Sequence, residues 1–226
     1  MDDFTKAQEK VRKLLKERGR LVVAIDGFSG SGKTRLGELL QAMLGGNLFH
    51  TDDFYLPFER RSPDWKKVPA RNMDIKRLRE EVFIPAHDGD RIVYGAYDAH
   101  RRKLKSIAVA PEPLSVIEGS YSHHPVFAAC TDFKIFIKCD DETQKKRLQE
   151  REGQDISSFE ELWIPLERQF FEDYRIEERS DLVLDTSDRD ETPEKPRPSE
   201  DDAQKRRRDL AASVEFFKRS SYWNRK

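Results

Sequence analysis

The pattern of apolar and polar positions changes character several times along the chain. A charged N-terminal stretch of helical character leads into residues 21–25 (LVVAI), a short unbroken apolar run of the kind found in a strand buried on both faces. Leu36, Leu39, Leu40, Met43 and Leu44 then repeat at helical spacing. Four more short apolar runs, at 47–50, 114–117, 133–137 and 182–184, predict strands, and the segments near 74–82, 140–151 and 159–178 predict helices. Strands that alternate with crossover helices imply an α/β fold: a central, mostly parallel five-stranded sheet covered on both faces, three layers in all. Residues 90–109 instead carry two β-like runs (RIVYGAY and SIAVA) around a basic turn, which predicts a β-hairpin excursion.

Composition divides this pattern into parts. Charged residues make up 38% of the chain, well above an average domain, and hydrophobic ones 36%. The excess gathers in 187–209, whose only aliphatic residue is Ala203 and which includes Pro193, Pro196 and Pro198; it cannot bury enough apolar area to offset its ordering entropy and reads as a linker. Beyond it Leu210, Val214 and Phe217 share one helical face. The expected organisation is a domain over 1–186, a charged Pro-containing linker over 187–209 and an amphipathic segment over 210–226.

The 42 basic and 43 acidic residues leave a net charge of −1, so no global field draws the protein to nucleic acid or to an anionic membrane. No apolar run reaches the roughly 20 residues of a bilayer span, and the N-terminus lacks a signal peptide's apolar core, which points to a cytoplasmic protein. Cys130 and Cys139 are too few for a disulfide framework and lack finger-spaced partners for zinc. Two local basic clusters, Lys205–Arg208 and Arg101, Arg102, Lys103 and Lys105, offer a nucleic-acid reading. Neither is interleaved with aromatics for base stacking, and Glu200, Asp201 and Asp202 oppose the first.

The chemistry concentrates between the first strand and the following helix. Gly27, Phe28, Ser29, Gly30, Ser31, Gly32, Lys33 and Thr34 match the eight-residue Walker A pattern, in the strand–loop–helix context its mechanism needs. Glycines let the backbone wrap so that amides point at a phosphate, the new helix adds its positive end, Lys33 spans the β- and γ-phosphates and the Thr34 hydroxyl binds Mg²⁺. This makes ATP and Mg²⁺ the expected cofactors. Asp52 and Asp53 follow the second strand at the sheet edge where parallel sheets place their ligands, and either could accept a proton from a substrate hydroxyl. Glu118 ends the 114–117 strand where a carboxylate of the Mg²⁺ shell would stand. Arg147 and Arg151, four apart on one helical face in a segment rich in Glu and Lys, read on their own as a salt-bridged helix surface. His87, His123 and His124 form no triad or metal spacing and read as surface or core residues.

Taken together, GFSGSGKT, TDDFYLP, the NMD triplet at 72–74, Tyr97–Asp98, IEG at 117–119 and the arginines of KKRLQERE resemble the uridine kinase family of P-loop small-molecule kinases, over about residues 21–185. The resemblance implies a P-loop kinase fold, phosphoryl transfer from ATP to a hydroxyl of a nucleoside such as uridine or cytidine, and a mobile lid led into by Arg147 and Arg151 that neutralises the transferring phosphoryl group, although the lid between Arg151 and Phe159 is short for the family. It makes Lys33, Asp52, Arg147 and Arg151 catalytic, and Asp52, Tyr55, Asp74, Tyr97, His100 and Arg101 substrate-binding, with Asp74 on the ribose hydroxyls. It also implies a small-molecule partner and leaves homo-oligomerisation open. The sequence departs from the family pattern at Ala99, where an aromatic is usual, and at Asp53, where a serine is common. The alternatives are a related kinase of pantothenate, phosphoribulose or nicotinamide riboside type, and a nucleotide-binding module without phosphotransfer.

Overall fold

The computed structural model describes residues 3–98 and 103–187. His100, Arg101 and nearly all of the expected linker and C-terminal segment lie outside the described residues. Helix α1 (Asp3–Arg18) turns Phe4, Ala7 and Val11 inward, and the chain enters β1 (Leu21–Gly27), every residue of which is buried. The phosphate loop joins β1 to α2 (Lys33–Leu44), and β2 (Asn47–His50) runs into a 3-10 turn (Thr51–Phe54). Next come α3 (Ile75–Leu78), a π-helical turn (Arg79–Phe83) and α4 (Ile84–Asp88), then the antiparallel hairpin β3 (Ile92–Asp98) and β4 (Lys103–Val109). The chain continues through β5 (Leu114–Glu118), β6 (Phe133–Lys138), α5 (Asp141–Glu152), a second π-helical turn (Phe159–Trp163), α6 (Ile164–Asp173) and β7 (Leu182–Asp185).

Five strands form a fully parallel sheet in the order β2-β5-β1-β6-β7. Period-2 alternation divides β1 between two cores. Val22 and Ala24 face a cluster with Phe49, Leu78, Phe83, Phe136 and Phe170, whereas Leu21, Val23 and Ile25 face Phe4, Val11, Leu36 and Leu40 from α1 and α2. The hairpin adds Ile92, Tyr94 and Ala96 to the first cluster. The expected three-layer α/β architecture with its hairpin excursion is therefore present.

Two helices differ from the sequence expectation, and both absorb a proline in the same way. A π turn precedes both Pro85 and Pro165, with one residue between. Proline has no N–H for the carbonyl four residues back and its ring collides with that carbonyl; widening the previous turn by one residue relieves both problems. Absorbing Pro85 lets the helix expected at 74–82 run on to Asp88, whereas the one expected at 159–178 absorbs Pro165 near its start and ends at Asp173, where Arg175 at φ 52 turns the chain.

Candidate active site

The phosphate loop is shaped from behind. Gly27 closes β1 at φ +146, and a Cβ there would lie 2.0 Å from the Ile137 carbonyl oxygen, so only glycine lets β1 and β6 approach this closely. Beyond it, three consecutive carbonyls are held. Gln144 Nε2 donates to Ser29 O at 2.9 Å, Arg147 Nη1 to Gly30 O at 3.4 Å, and Thr186 Oγ1 to Ser31 O at 3.0 Å. Each trans peptide sets its N–H opposite its C=O, so fixing these carbonyls turns the amides of Gly30 and Gly32 to the other side, where the N-terminus of α2 adds its partial positive charge, while the Ser31 amide donates to the Phe28 carbonyl at 3.0 Å. Lys33 Nζ donates to the carbonyls of Gly27 at 2.8 Å and Phe28 at 2.9 Å, which holds the ammonium against the loop.

On the far side of the loop, Thr34 Oγ1 donates to Glu118 Oε1 at 3.1 Å. His50 Nδ1 lies 2.5 Å from the same oxygen, and this bond above all raises the His50 pKa. Parallel pairing of β2 with β5 puts His50 opposite Glu118. Among the described residues no group of three or more His, Cys, Asp and Glu gathers to hold a metal. A hydroxyl and a carboxylate still fit Mg²⁺, a hard cation that takes few protein oxygens and completes its shell with phosphate oxygens and water.

Asp52 and Asp53 diverge, although not as extended chain: the 3-10 turn over Thr51–Phe54 replaces the strand geometry that would point them to opposite sides. Asp52 is exposed, with protein packed closely around its carboxylate. Loss of bulk water and the Glu118 charge raise its pKa, while the charges of Lys33, Arg151 and His50 pull it down. Asp53 instead accepts a hydrogen bond from Tyr94 Oη at 3.2 Å, toward the hairpin. Arg147 and Arg151 also part company. The guanidinium of Arg147 bonds the Thr186 carbonyl at 2.7 Å and hydroxyl at 3.0 Å as well as Gly30, whereas Arg151 pairs with Glu152 at 2.6 Å and sends its field to Asp52.

Two buried carboxylates at this site escaped the sequence reading. Glu167 of α6 accepts from the Ser29 amide at 3.0 Å and hydroxyl at 2.6 Å, tying α6 to the phosphate loop. Asp26, fully buried in β1, accepts from the amides of Gly27 at 2.8 Å and His123 at 3.0 Å; burial outweighs these bonds and the Lys33 charge, and its pKa rises to about 7. Gln144 and Thr186 were missed too. Gln144 is one polar residue on the highly charged α5 and Thr186 lies just past β7, neither with a motif of its own; the one available signal was a polar residue inside an apolar strand at Asp26.

Beside Asp52 opens a cavity of about 380 Å³, lined by Tyr55, Leu56, Pro57, Arg60, Asp74, Arg77, Tyr97, Lys103 and Leu104. It brings together Tyr55, Asp74 and Tyr97, three of the expected substrate residues. Asp74 caps α3 by accepting from the Arg77 amide at 3.2 Å, and its other oxygen lies 3.6 Å from Arg60. Arg77 is spent on Glu81, with two bonds of 2.7 Å, and on the Gly95 carbonyl. An antiparallel bridge between Tyr55 and Met73 fixes the two walls against each other.

A phosphate loop on the central strand of a parallel sheet, a carboxylate at the tip of the neighbouring strand and a separate cavity beyond Asp52 define a P-loop kinase fold. A family model described as an AAA domain matches residues 23–162, and the chain belongs to that family. A nicotinamide riboside kinase of Schizosaccharomyces pombe is 26% identical over 158 residues, 60% of this chain and 68% of that protein. A structure from Bacillus stearothermophilus described as a possible uridine kinase superposes with a TM-score of 0.60 at 21% identity, over 80% of this chain and all of that one. That likeness is one of fold. Among the described residues no helix is long and apolar enough to cross a membrane.

Proposed function

We propose that this chain is an ATP-dependent kinase that phosphorylates a hydroxyl of a small ribose-bearing molecule, of which uridine and cytidine are the simplest forms. One observation carries the reading: Asp52 stands where the fields of Lys33 and Arg151 meet, between the phosphate loop and a cavity that contains Asp74. A module that only held a nucleotide would need the loop and neither of the other two features. The kinase named among the relatives supports the same class.

In this mechanism the loop amides and Lys33 hold the β- and γ-phosphates. Thr34 and Glu118 would hold Mg²⁺, which when bound neutralises phosphate charge. Asp74 accepts hydrogen bonds from the acceptor's ribose hydroxyls and turns the reacting hydroxyl toward Asp52. The hydroxyl oxygen forms its bond to the γ-phosphorus as the bond from that phosphorus to the β–γ bridging oxygen breaks; the hydroxyl proton passes to Asp52, and ADP leaves. The raised pKa of Asp52 makes it a better base for that proton. Arg151 is the side chain suited to neutralise the transferring group, and Arg147 acts by holding the loop. The test is ADP release across a panel of nucleosides, pantothenate, nicotinamide riboside and sugar phosphates. Release that depends on one acceptor class and on Lys33 supports the reading, and ATP binding with no acceptor-dependent release anywhere in the panel refutes it.

A further inference from the structure

The cations around the acceptor cavity are not equally engaged. Arg77 is neutralised by Glu81, Arg60 shares Asp74, and Lys103 stands opposite Asp98 across the hairpin. Arg61 is different. It is half-buried, donates through Nε to the Leu56 carbonyl at 2.9 Å, and makes no salt bridge among the described residues. Its guanidinium carbon lies 4.3 Å from the Phe58 ring centroid and 4.6 Å from that of Trp65, so two aromatic faces hold the fork in place without cancelling its charge. The groups that act on its charge are the phenols of Tyr55 and Tyr97, both lining the cavity, and burial lowers its pKa. Its two terminal nitrogens have no hydrogen-bond partner among the described residues. A guanidinium partly kept out of bulk water, immobilised and short of acceptors matches two oxygens of a carboxylate or a phosphate.

Tyr55 supplies the second half of the argument. It lines the cavity three residues after Asp52 and next to Leu56, whose carbonyl holds Arg61, and the charges of both Asp52 and Arg61 act on it, so the two groups belong to one stretch of the cavity wall. A single small molecule can therefore offer its hydroxyl to Asp52 and an anionic group to Arg61. We propose that Arg61 forms an anion subsite at the rim of the acceptor cavity, and that the acceptor is a ribose-bearing molecule carrying a carboxylate or a phosphate. This rests on the kinase reading for the hydroxyl and on Arg61 alone for the charge. It changes the expected acceptor from a neutral nucleoside to an anionic one.

Calorimetric titration of the full chain, with ADP saturating so that the phosphate loop is filled, tests it with two matched pairs: orotidine against uridine, and ribose 5-phosphate against ribose. The expected result is at least about tenfold tighter binding of one anionic member than of its neutral partner, a preference lost in Arg61→Met and partly kept in Arg61→Lys. The first pair reports a carboxylate subsite and the second a phosphate subsite. Equal affinity within both pairs, no binding of either anion, or a preference that survives Arg61→Met overturns the proposal. Arg61→Gln, which keeps a donor for the Leu56 carbonyl, replaces Arg61→Met should that variant fail to fold. ADP release with the same four compounds separates the two claims. Turnover of uridine with none of orotidine leaves the kinase and removes the anion site, whereas Arg61-dependent anion binding without turnover of any acceptor does the reverse.

Discussion

The phosphate loop and the acceptor cavity lie side by side at one end of the sheet and are built in opposite ways. The loop presents backbone amides, and its shape comes from glycines and from carbonyls fixed by Gln144, Arg147 and Thr186. The cavity presents side chains from three separate stretches of chain: Tyr55 to Arg60, Asp74 with Arg77, and the hairpin residues Tyr97, Lys103 and Leu104. A backbone site depends little on which side chains surround it and so serves one ligand, a phosphate. A side-chain site can be re-specified residue by residue while the loop stays the same. Sequence changes at the loop should therefore remove activity altogether, and changes at the cavity should redirect it.

The largest effect is expected at the loop. Lys33→Ala should take phosphotransfer below detection while leaving the melting temperature nearly unchanged, because the half-buried ammonium donates only to two loop carbonyls, of Gly27 and Phe28. Single-turnover assays and thermal denaturation on the same preparation check this, and unchanged turnover would remove the P-loop mechanism. Asp52→Asn comes next. It keeps the shape and removes the base, so kcat should fall by roughly 10²- to 10⁴-fold with ATP affinity little altered. Asp53→Asn should cost far less, since Asp53 is engaged by Tyr94 rather than by the charges around the loop. A larger loss at Asp53 would exchange the two roles, and a Mg²⁺ titration of each variant separates metal binding from proton transfer.

At the cavity the effect should be smaller and confined to the acceptor. Asp74→Asn retains an oxygen to cap α3 but loses the charge that would bind ribose hydroxyls, so kcat/KM for the acceptor should drop about 10- to 100-fold with the KM for ATP unchanged. A change confined to ATP would assign Asp74 to the wrong half of the site.

The same contrast explains what could be read in advance. Strand positions, the parallel sheet and the hairpin were legible because each depends on local apolar periodicity, and the loop because glycine spacing is itself the device. The interruptions at Pro85 and Pro165 were not, since a π turn arises from how a helix absorbs a proline inside a packed layer. Tyr55, Asp74 and Tyr97 were singled out only through resemblance to a family, and all three line one cavity. Arg61 and Glu167 left no mark in the sequence. One is an arginine among many, the other a glutamate on a charged helix, and only tertiary packing singles them out.

The finest test of the loop's foundation uses pH. Asp26 and His123 are both fully surrounded, joined by the His123 amide, and shifted in opposite directions by burial, to about 7 and to about 3. Between about pH 4 and 6.5 the folded protein keeps a proton on Asp26 that the unfolded chain has released, so this residue makes stability fall as pH rises. His123 does the reverse: the unfolded chain binds a proton that the folded protein refuses, so stability rises with pH over the same window. Each contributes about 1.4 kcal/mol per pH unit and the two contributions nearly cancel in the wild type. Asp26→Asn removes one of them. The variant's unfolding free energy, from urea titrations at pH 4.5, 5.5 and 6.5, should therefore climb by about 1.4 kcal/mol per pH unit relative to the wild type, whatever constant offset the lost amide bond adds. Parallel curves for the two proteins would mean that Asp26 is ionised throughout this range, its two amide bonds outweighing burial, and that the loop rests on a fixed negative charge.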